Sequence, residues 1–327
     1  MPEKILDIQD LVVWYKVFGG MLKVLNGVNF TVFSGEKVGL VGETGCGKTT
    51  TMKTVLRILP KQARVRSGSI LFRSNDVLKV KERELSQLRG SGISMIFQDP
   101  TAALNPVYPI GTQISDIIRF ASSIKQRKGQ SIRQIALAAL RDGALPDPER
   151  IMRSYPFQLS GGMRQRVCIA MALSTSHGLL IADEPTTNLD VTIQDQVLRL
   201  IRQLVANKGL SLVLITHSLG VAREMTDRIY VMYAGHMIET AATEELFDHP
   251  LHPYTLGLLE SIPKLTGQGM SVGIPGRIPN YFAPPLGCRF QPRCLKALPQ
   301  CATKTPPLLE VATNHAVACF LYENHGE

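Results

Sequence analysis

No stretch of this 327-residue chain supplies the ~18 to 20 uninterrupted apolar residues that a bilayer-spanning helix needs. The nearest, residues 167–182, is broken by Ser174, Thr175, Ser176, His177 and Gly178. The start, Met1-Pro2-Glu3-Lys4, lacks the basic-then-apolar layout of a secretory leader, so a reducing cytosol is expected. No internal repeat and no low-complexity block is present. Aromatic residues are scarce at 6 %, with one tryptophan, and charged residues stand at 19 %, yet 44 % of the chain is apolar. That composition argues against a disordered tail or a fibre and for a packed body of roughly two domains.

Acid is the other shortage, and it leaves a net charge of +9. The excess is regional. Residues 119–153 hold eight Lys/Arg against three acids, and residues 264–304 hold six with no acid at all. The first region includes Lys125-Gln126-Arg127-Lys128 and reads as a solvated helix face or loop. The second coincides with a group of cysteines.

Up to about Asp248, short β-branched runs alternate with helical stretches, whereas residues 250–307 are rich in Pro, Gly and Cys, so a domain boundary is placed near His249. Residues 37–41 read as a buried strand and 48–59 as the helix after it. Residues 179–182 and 212–216 are further apolar runs with polar carboxyl ends, and 228–240 looks like a hairpin around Ala234-Gly235. Residues 100–166 read as a mostly helical insertion. Strands alternating with helices imply an α/β fold with a mainly parallel sheet and functional residues at the strands' carboxyl ends.

Between the first strand and its helix, Gly42-Glu43-Thr44-Gly45-Cys46-Gly47-Lys48-Thr49 satisfies G-x-x-x-x-G-K-[ST] in the context that motif requires. Its glycines let successive backbone N–H groups converge on phosphate oxygens at the positive end of a helix. Lys48 then supplies a charge to the β- and γ-phosphates, Thr49 a hydroxyl to Mg²⁺, and Thr50 a further phosphate contact. Cys46 reads as a space-filling residue. Magnesium also needs a carboxylate at the end of a buried strand, and Leu179-Leu180-Ile181-Ala182-Asp183-Glu184 provides it. Asp183 is assigned to the Mg²⁺ shell and Glu184 to polarising the attacking water.

Ahead of that strand, Leu159-Ser160-Gly161-Gly162-Met163-Arg164-Gln165-Arg166 resembles the signature of ABC-type ATPases, with Met163 where many members carry Gln. The resemblance covers essentially the whole chain. It implies a P-loop NTPase cassette with a RecA-like core sheet, an antiparallel β subdomain and a helical subdomain, over residues 1–248, followed by a small Cys-rich extension over 249–327. It also implies that Ser160 and the N–H groups of Gly161 and Gly162 hold the γ-phosphate of ATP bound to a second cassette. Gln98 resembles the Q-loop glutamine that touches Mg²⁺ or water, and His217 the switch histidine at the γ-phosphate. Asp190 falls in the D-loop, where Asn188 replaces the commoner Ala. Tyr15 resembles the aromatic that stacks on adenine, with Trp14 as the alternative.

Residues 98–110, QDPTAALNPVYPI, and 249–263, HPLHPYTLGLLESIP, are similar to the ATP-binding subunits of oligopeptide, dipeptide and nickel importers. This implies a peripheral ATPase on the cytoplasmic face of the membrane, paired with a homologous, paralogous ATPase subunit. Two transmembrane permease subunits and an external substrate-binding protein complete the machine. Di- and oligopeptides are the expected cargo, nickel or oligosaccharide the alternative. A soluble ABC ATPase acting on nucleic acid ranks below both, since no coiled-coil insertion or second cassette is present, and no nucleic-acid partner is expected.

Four of six cysteines, Cys288, Cys294, Cys301 and Cys319, are spaced C-x5-C-x6-C-x17-C. A cytosolic setting disfavours disulfides and leaves metal ligation as the leading reading. Structural zinc usually shows tight C-x2-4-C pairs, which are missing, and four thiolates from an irregular loop could instead hold an iron–sulfur cluster, with free packed thiols and zinc as the alternatives. The resemblance to the importer subfamily implies a [4Fe-4S] cluster here.

Overall fold

The computed structural model describes residues 3–121, 130–175, 178–187, 189–262 and 273–323. In chain order its strands are β1 (Lys4–Val17), β2 (Gly20–Phe33), β3 (Lys37–Val41), β4 (Ala63–Phe72), β5 (Asn75–Asp76), β6 (Ile93–Ile96), β7 (Leu179–Asp183), β8 (Ser211–Thr216), β9 (Arg228–Tyr233), β10 (His236–Ala242), β11 (Leu309–Ala312) and β12 (His315–Val317). The helices are α1 (Lys48–Val55), α2 (Glu82–Gln87), α3 (Pro100–Ala103), α4 (Ile110–Phe120), α5 (Ile132–Asp142), α6 (Pro148–Arg153), α7 (Gly161–Leu173), α8 (Val191–Lys208), α9 (Leu219–Met225), α10 (Thr243–Asp248) and α11 (Pro253–Glu260). The chain divides into one unit of Met1–Ile5, Phe33–Glu36 and Lys79–Leu214, and another of Leu6–Val32, Lys37–Leu78 and Ile215–Glu327.

In the first unit, β6 runs parallel to β7, with Ile93 opposite Leu179 and Ile96 opposite Ala182. The insertion is helical as expected. Ile110, Ile114 and Ile118 recur every four residues on α4, forming one stripe that meets Ile135, Leu140, Ile151 and Val167 in a buried cluster. Local chemistry starts two of these helices: Ser131 and Gln134 form a capping box on α5, and Asp147 accepts from the Arg150 N–H with Pro148 following it on α6.

In the second unit, β2, β1, β4 and β5 form an antiparallel sheet in that order. The residue pattern alone did not reveal these strands. The alternation of β1 is broken where its register against β4 shifts between Gln9 and Val12, beside Asp10 at φ 48°. A second set of strands runs β11-β12-β10-β9-β3. There β3 is parallel to β9, and β9 turns into antiparallel β10 through Ala234 (φ 44°) and Gly235 (φ 82°), the two left-handed residues of a type I′ hairpin.

Two expectations are corrected. The helix placed over 48–59 ends at Val55, because Arg57 turns left-handed at φ 50° and the Ile58 and Arg57 N–H groups close on the Lys53 and Thr54 carbonyls, a Schellman stop without glycine. The division into units does not fall at His249. Ala316 and Val317 pair with β10, and Tyr254 and Phe290 join Val231, Tyr233 and Ile238 in one buried cluster. Tyr233, Tyr254 and Phe290 meet with centroids 4.7 to 5.5 Å apart. Each ring buries on the order of 150–250 Å², roughly 4 to 6 kcal/mol before entropy is subtracted, which binds the tail to this unit.

Candidate functional site

The phosphate loop belongs to the second unit. The buried strand β3 is followed by Gly42, whose φ of 150° and close approach to the Met232 carbonyl oxygen at the Cβ position admit no side chain. Gly47 is the N-cap of α1. Lys48 is nearly buried, 5 % exposed, and its Nζ donates to the carbonyls of Gly42 (2.7 Å) and Glu43 (3.0 Å), which curls the side chain back over the loop. Cys46 is fully buried, and burial raises its thiol pKa, in keeping with a filler rather than a nucleophile. Thr50 meets the Tyr15 hydroxyl at 3.3 Å. Trp14 instead takes Lys23 and Arg66 over its ring, so of the two aromatics Tyr15 is the one tied to the loop. His217 is exposed just after β8, immediately before Ser218, which caps α9.

Residues far along the chain hold this loop, and motif reading missed them. Tyr254 on α11 accepts the Glu43 N–H at 2.9 Å, and the Tyr281 hydroxyl donates to the Gly45 carbonyl at 2.8 Å. Arg293 pairs with the Glu43 carboxylate at 2.7 and 3.0 Å. Glu43 was expected to serve phosphate; its amide and side chain both have tail partners. Only the proximity of the HPYTLGLLESIP string to the family pattern hinted at the first of these, and nothing in the sequence pointed to the arginine.

The first unit carries the acidic and signature residues. Parallel pairing of β6 and β7 brings their carboxyl ends level. Asp183 closes β7 at 2 % exposed, and Glu184 follows at φ 44°, a left-handed conformation that an acidic residue adopts at a cost of about 1 kcal/mol or more. Gln98, two residues past β6, donates from Nε2 to Glu184 Oε2 at 3.0 Å, and the Thr187 hydroxyl donates to the same oxygen at 3.0 Å. Thr187 was not foreseen; it stands three residues beyond the glutamate, within one turn. Ser160 caps α7 by accepting the Met163 N–H at 3.3 Å, using Oγ as acceptor while its O–H remains a donor. A Cβ on Gly162 would lie 3.0 Å from Ile193, so that glycine is set by close packing against α8. Asp190 caps α8 through the Ile193 N–H at 3.0 Å. Met163 packs on the helical cluster and leaves these groups undisturbed.

The tail cysteines sit on short turns: Cys288 before and Cys294 after the turn at Gln291–Arg293, Cys301 within Pro299–Ala302 and Cys319 after β12. All four are half-buried and unbridged, and the Cys288 N–H donates to the Cys301 carbonyl at 2.9 Å. Burial pushes the Cys288 thiol up to about 11 and raises those of Cys294 and Cys319, with neighbouring tail thiols adding to each rise. Among the described residues no group of three or more His, Cys, Asp or Glu is placed to hold a metal ion. The expected [4Fe-4S] cluster and its zinc alternative therefore find no assembled ligand set. Asn188, the run 125–128 and residues 263–272 lie outside the described residues.

Comparison with known proteins agrees with this picture. A family profile described as "ABC transporter" matches residues 25–187, and one described as "Oligopeptide/dipeptide transporter, C-terminal region" matches residues 238–301. A probable peptide ABC transporter ATP-binding protein, y4tR of Sinorhizobium fredii, is 44 % identical over 319 residues, covering 97 % of this chain and 94 % of that relative. The dipeptide transport ATP-binding protein DppD of Bacillus subtilis is 41 % identical over 328 residues, covering 99 % and 97 %. Among solved structures, the dimeric ATP-binding cassette MJ0796 bound to ADP and Pi matches with a TM-score of 0.63 at 26 % identity, over 73 % of this chain and 98 % of that one. No helix among the described residues is long and apolar enough to cross a membrane.

Proposed function

The chain belongs to the ABC transporter ATP-binding family, whose cassettes use ATP and Mg²⁺ and hydrolyse ATP in transport, and on that premise we propose that it powers import of di- and oligopeptides. The observation that carries the hydrolytic role is the Glu184 carboxylate held by Gln98 and Thr187 at the end of a buried strand. A carboxylate fixed there can orient and deprotonate a water, while phosphoryl transfer otherwise depends on positioning and neutralised charge. In this reading Lys48 and the N–H groups of the loop, that of Glu43 excepted, carry the phosphates, His217 donates to the γ-phosphate, and Tyr15 stacks on adenine. Ser160, Gly161 and Gly162, with Asp190 beside them, face the nucleotide of a second cassette. Thr49, Asp183 and Gln98 are the residues that would hold Mg²⁺, which when bound supplies positive charge to the phosphates. Their hydroxyl, carboxylate and amide oxygens are the hard donors that ion takes.

The cargo is inferred from the peptide-transport roles of the relatives and from the match to the transporter C-terminal region. With it come two permease subunits, a paralogous ATPase subunit, an external peptide-binding protein, and attachment to the inner membrane face. ATP-driven closure of two cassettes would turn the permease outward and hydrolysis would reset it. The test is co-purification with polytopic membrane subunits, followed by ATP hydrolysis in vesicles. Stimulation by peptide-loaded binding protein is expected; hydrolysis indifferent to peptide would remove the assignment.

The iron–sulfur reading of the tail is also a proposal. Its support is the sequence: four cysteines spaced C-x5-C-x6-C-x17-C, and the acid-free basic run 264–304 around three of them, which would offset a cluster's negative charge. Anaerobic purification should give brown protein with iron and sulfide in equal amounts. A colourless, zinc-rich sample would establish zinc instead.

A further inference from the structure

An anion cradle is a poor place for a carboxylate, yet the phosphate loop carries one acidic side chain, Glu43, among residues 42–49. We infer that Arg293 is a positioning residue for nucleotide binding, keeping Glu43 paired and neutralised so that the loop can accept a triphosphate. The inference rests on the nucleotide-site reading above.

The geometry is specific. Arg293 Nη1 donates to Glu43 Oε2 at 2.7 Å and Nη2 to Oε1 at 3.0 Å, the two-pronged pairing that only a guanidinium offers. Its remaining donors go to the Pro275 carbonyl (2.7 Å), the Ile274 carbonyl (3.1 Å) and the Tyr233 hydroxyl (3.3 Å), so all five are engaged. The arginine side chain is 5 % exposed and the glutamate 28 %. Water reaches only part of the carboxylate, so loss of the arginine would leave an incompletely screened negative charge in the loop. The Tyr233 ring backs the guanidinium at 5.7 Å, and Tyr254 and Tyr281 hold the flanking Glu43 amide and Gly45 carbonyl. A purely architectural arginine would not need its partner to be the acid inside the phosphate loop.

The experiment titrates the full-length chain with a fluorescent ATP analogue and Mg²⁺, and separately with adenosine. Arg293→Met should weaken ATP binding about tenfold while leaving adenosine binding within about twofold, since only the phosphates feel the freed carboxylate. In a Glu43→Gln background the same substitution should cost less than about twofold. Should Arg293→Met fail to fold, Arg293→Lys keeps the charge, loses the fork, and is expected to show a severalfold loss with the same rescue. An ATP affinity unchanged by these substitutions, an equal loss for adenosine, or a loss undiminished in the Glu43→Gln background overturns the inference. Lys48→Ala separates the two levels: ATP binding that requires Lys48 but ignores Arg293 sinks this inference alone, whereas a wild-type chain that binds no ATP sinks the nucleotide-site reading.

Discussion

Replacing Glu184 by glutamine tests the chemistry with the least disturbance of shape. Gln98 Nε2 and Thr187 Oγ1 both reach one carboxylate oxygen, each at 3.0 Å, and a glutamine can present its amide oxygen to the same donors. The strand end, its left-handed turn and nucleotide binding should therefore survive, and what is lost is the negative charge and its basicity. A positioned general base contributes about 10²- to 10⁴-fold, which corresponds to ~2.7 to 5.4 kcal/mol of barrier. Steady-state phosphate release should fall by that factor while the ATP dissociation constant stays within about twofold. Gln98→Ala removes one of the two donors and keeps the base, so its loss should be smaller, roughly tenfold, in line with one hydrogen bond to a charged group. Undiminished steady-state hydrolysis by Glu184→Gln, with binding intact, would take this residue out of the mechanism. A larger loss for Gln98→Ala than for Glu184→Gln would show that the glutamine, not the carboxylate, carries the step.

Further tests address other parts of the molecule. Mixing Lys48→Ala protein with Ser160→Ala protein should restore more hydrolysis than either gives alone, because a mixed pair contains one intact site built from both chains; activity equal to the average of the two would mean that each chain works unaided. Gly42→Ala would place a Cβ inside contact distance of the Met232 carbonyl oxygen, and should cost ~1 to 3 kcal/mol together with ATP binding; a melting temperature and affinity equal to wild type would refute the close-approach argument. His315 loses some basicity to burial, but the Glu239 carboxylate at 2.9 Å outweighs this, with Glu245 adding to it, and raises its pKa above 6.5. The stability it contributes is full below about pH 6.5 and disappears as pH rises through the raised value. The melting-temperature gap between wild type and His315→Gln should therefore narrow from pH 6 to pH 9, and a gap that widens would reverse the assignment.

Local chemistry was enough to read a great deal. A strand, a glycine-rich turn and a helix are contiguous, so residues 37–55 announced the phosphate loop, and the acid pair after an apolar run marked Glu184. The same holds for Ser160, whose capping role is set by its neighbours. Strands whose periodicity is interrupted were invisible to pattern reading: β1 slips register at Gln9–Val12 against β4, which begins only at Ala63.

What the amino-acid order set out alone was the candidate phosphate loop, because its backbone amides and its lysine need only one strand–turn–helix to come together. What tertiary structure decided was who holds those groups in place. Arg293 lies 250 residues from Glu43, and Gln98, 86 residues from Glu184, reaches it because β6 and β7 are parallel. Pairings of that kind depend on how distant segments close against each other, a long-range outcome that no local spacing encodes.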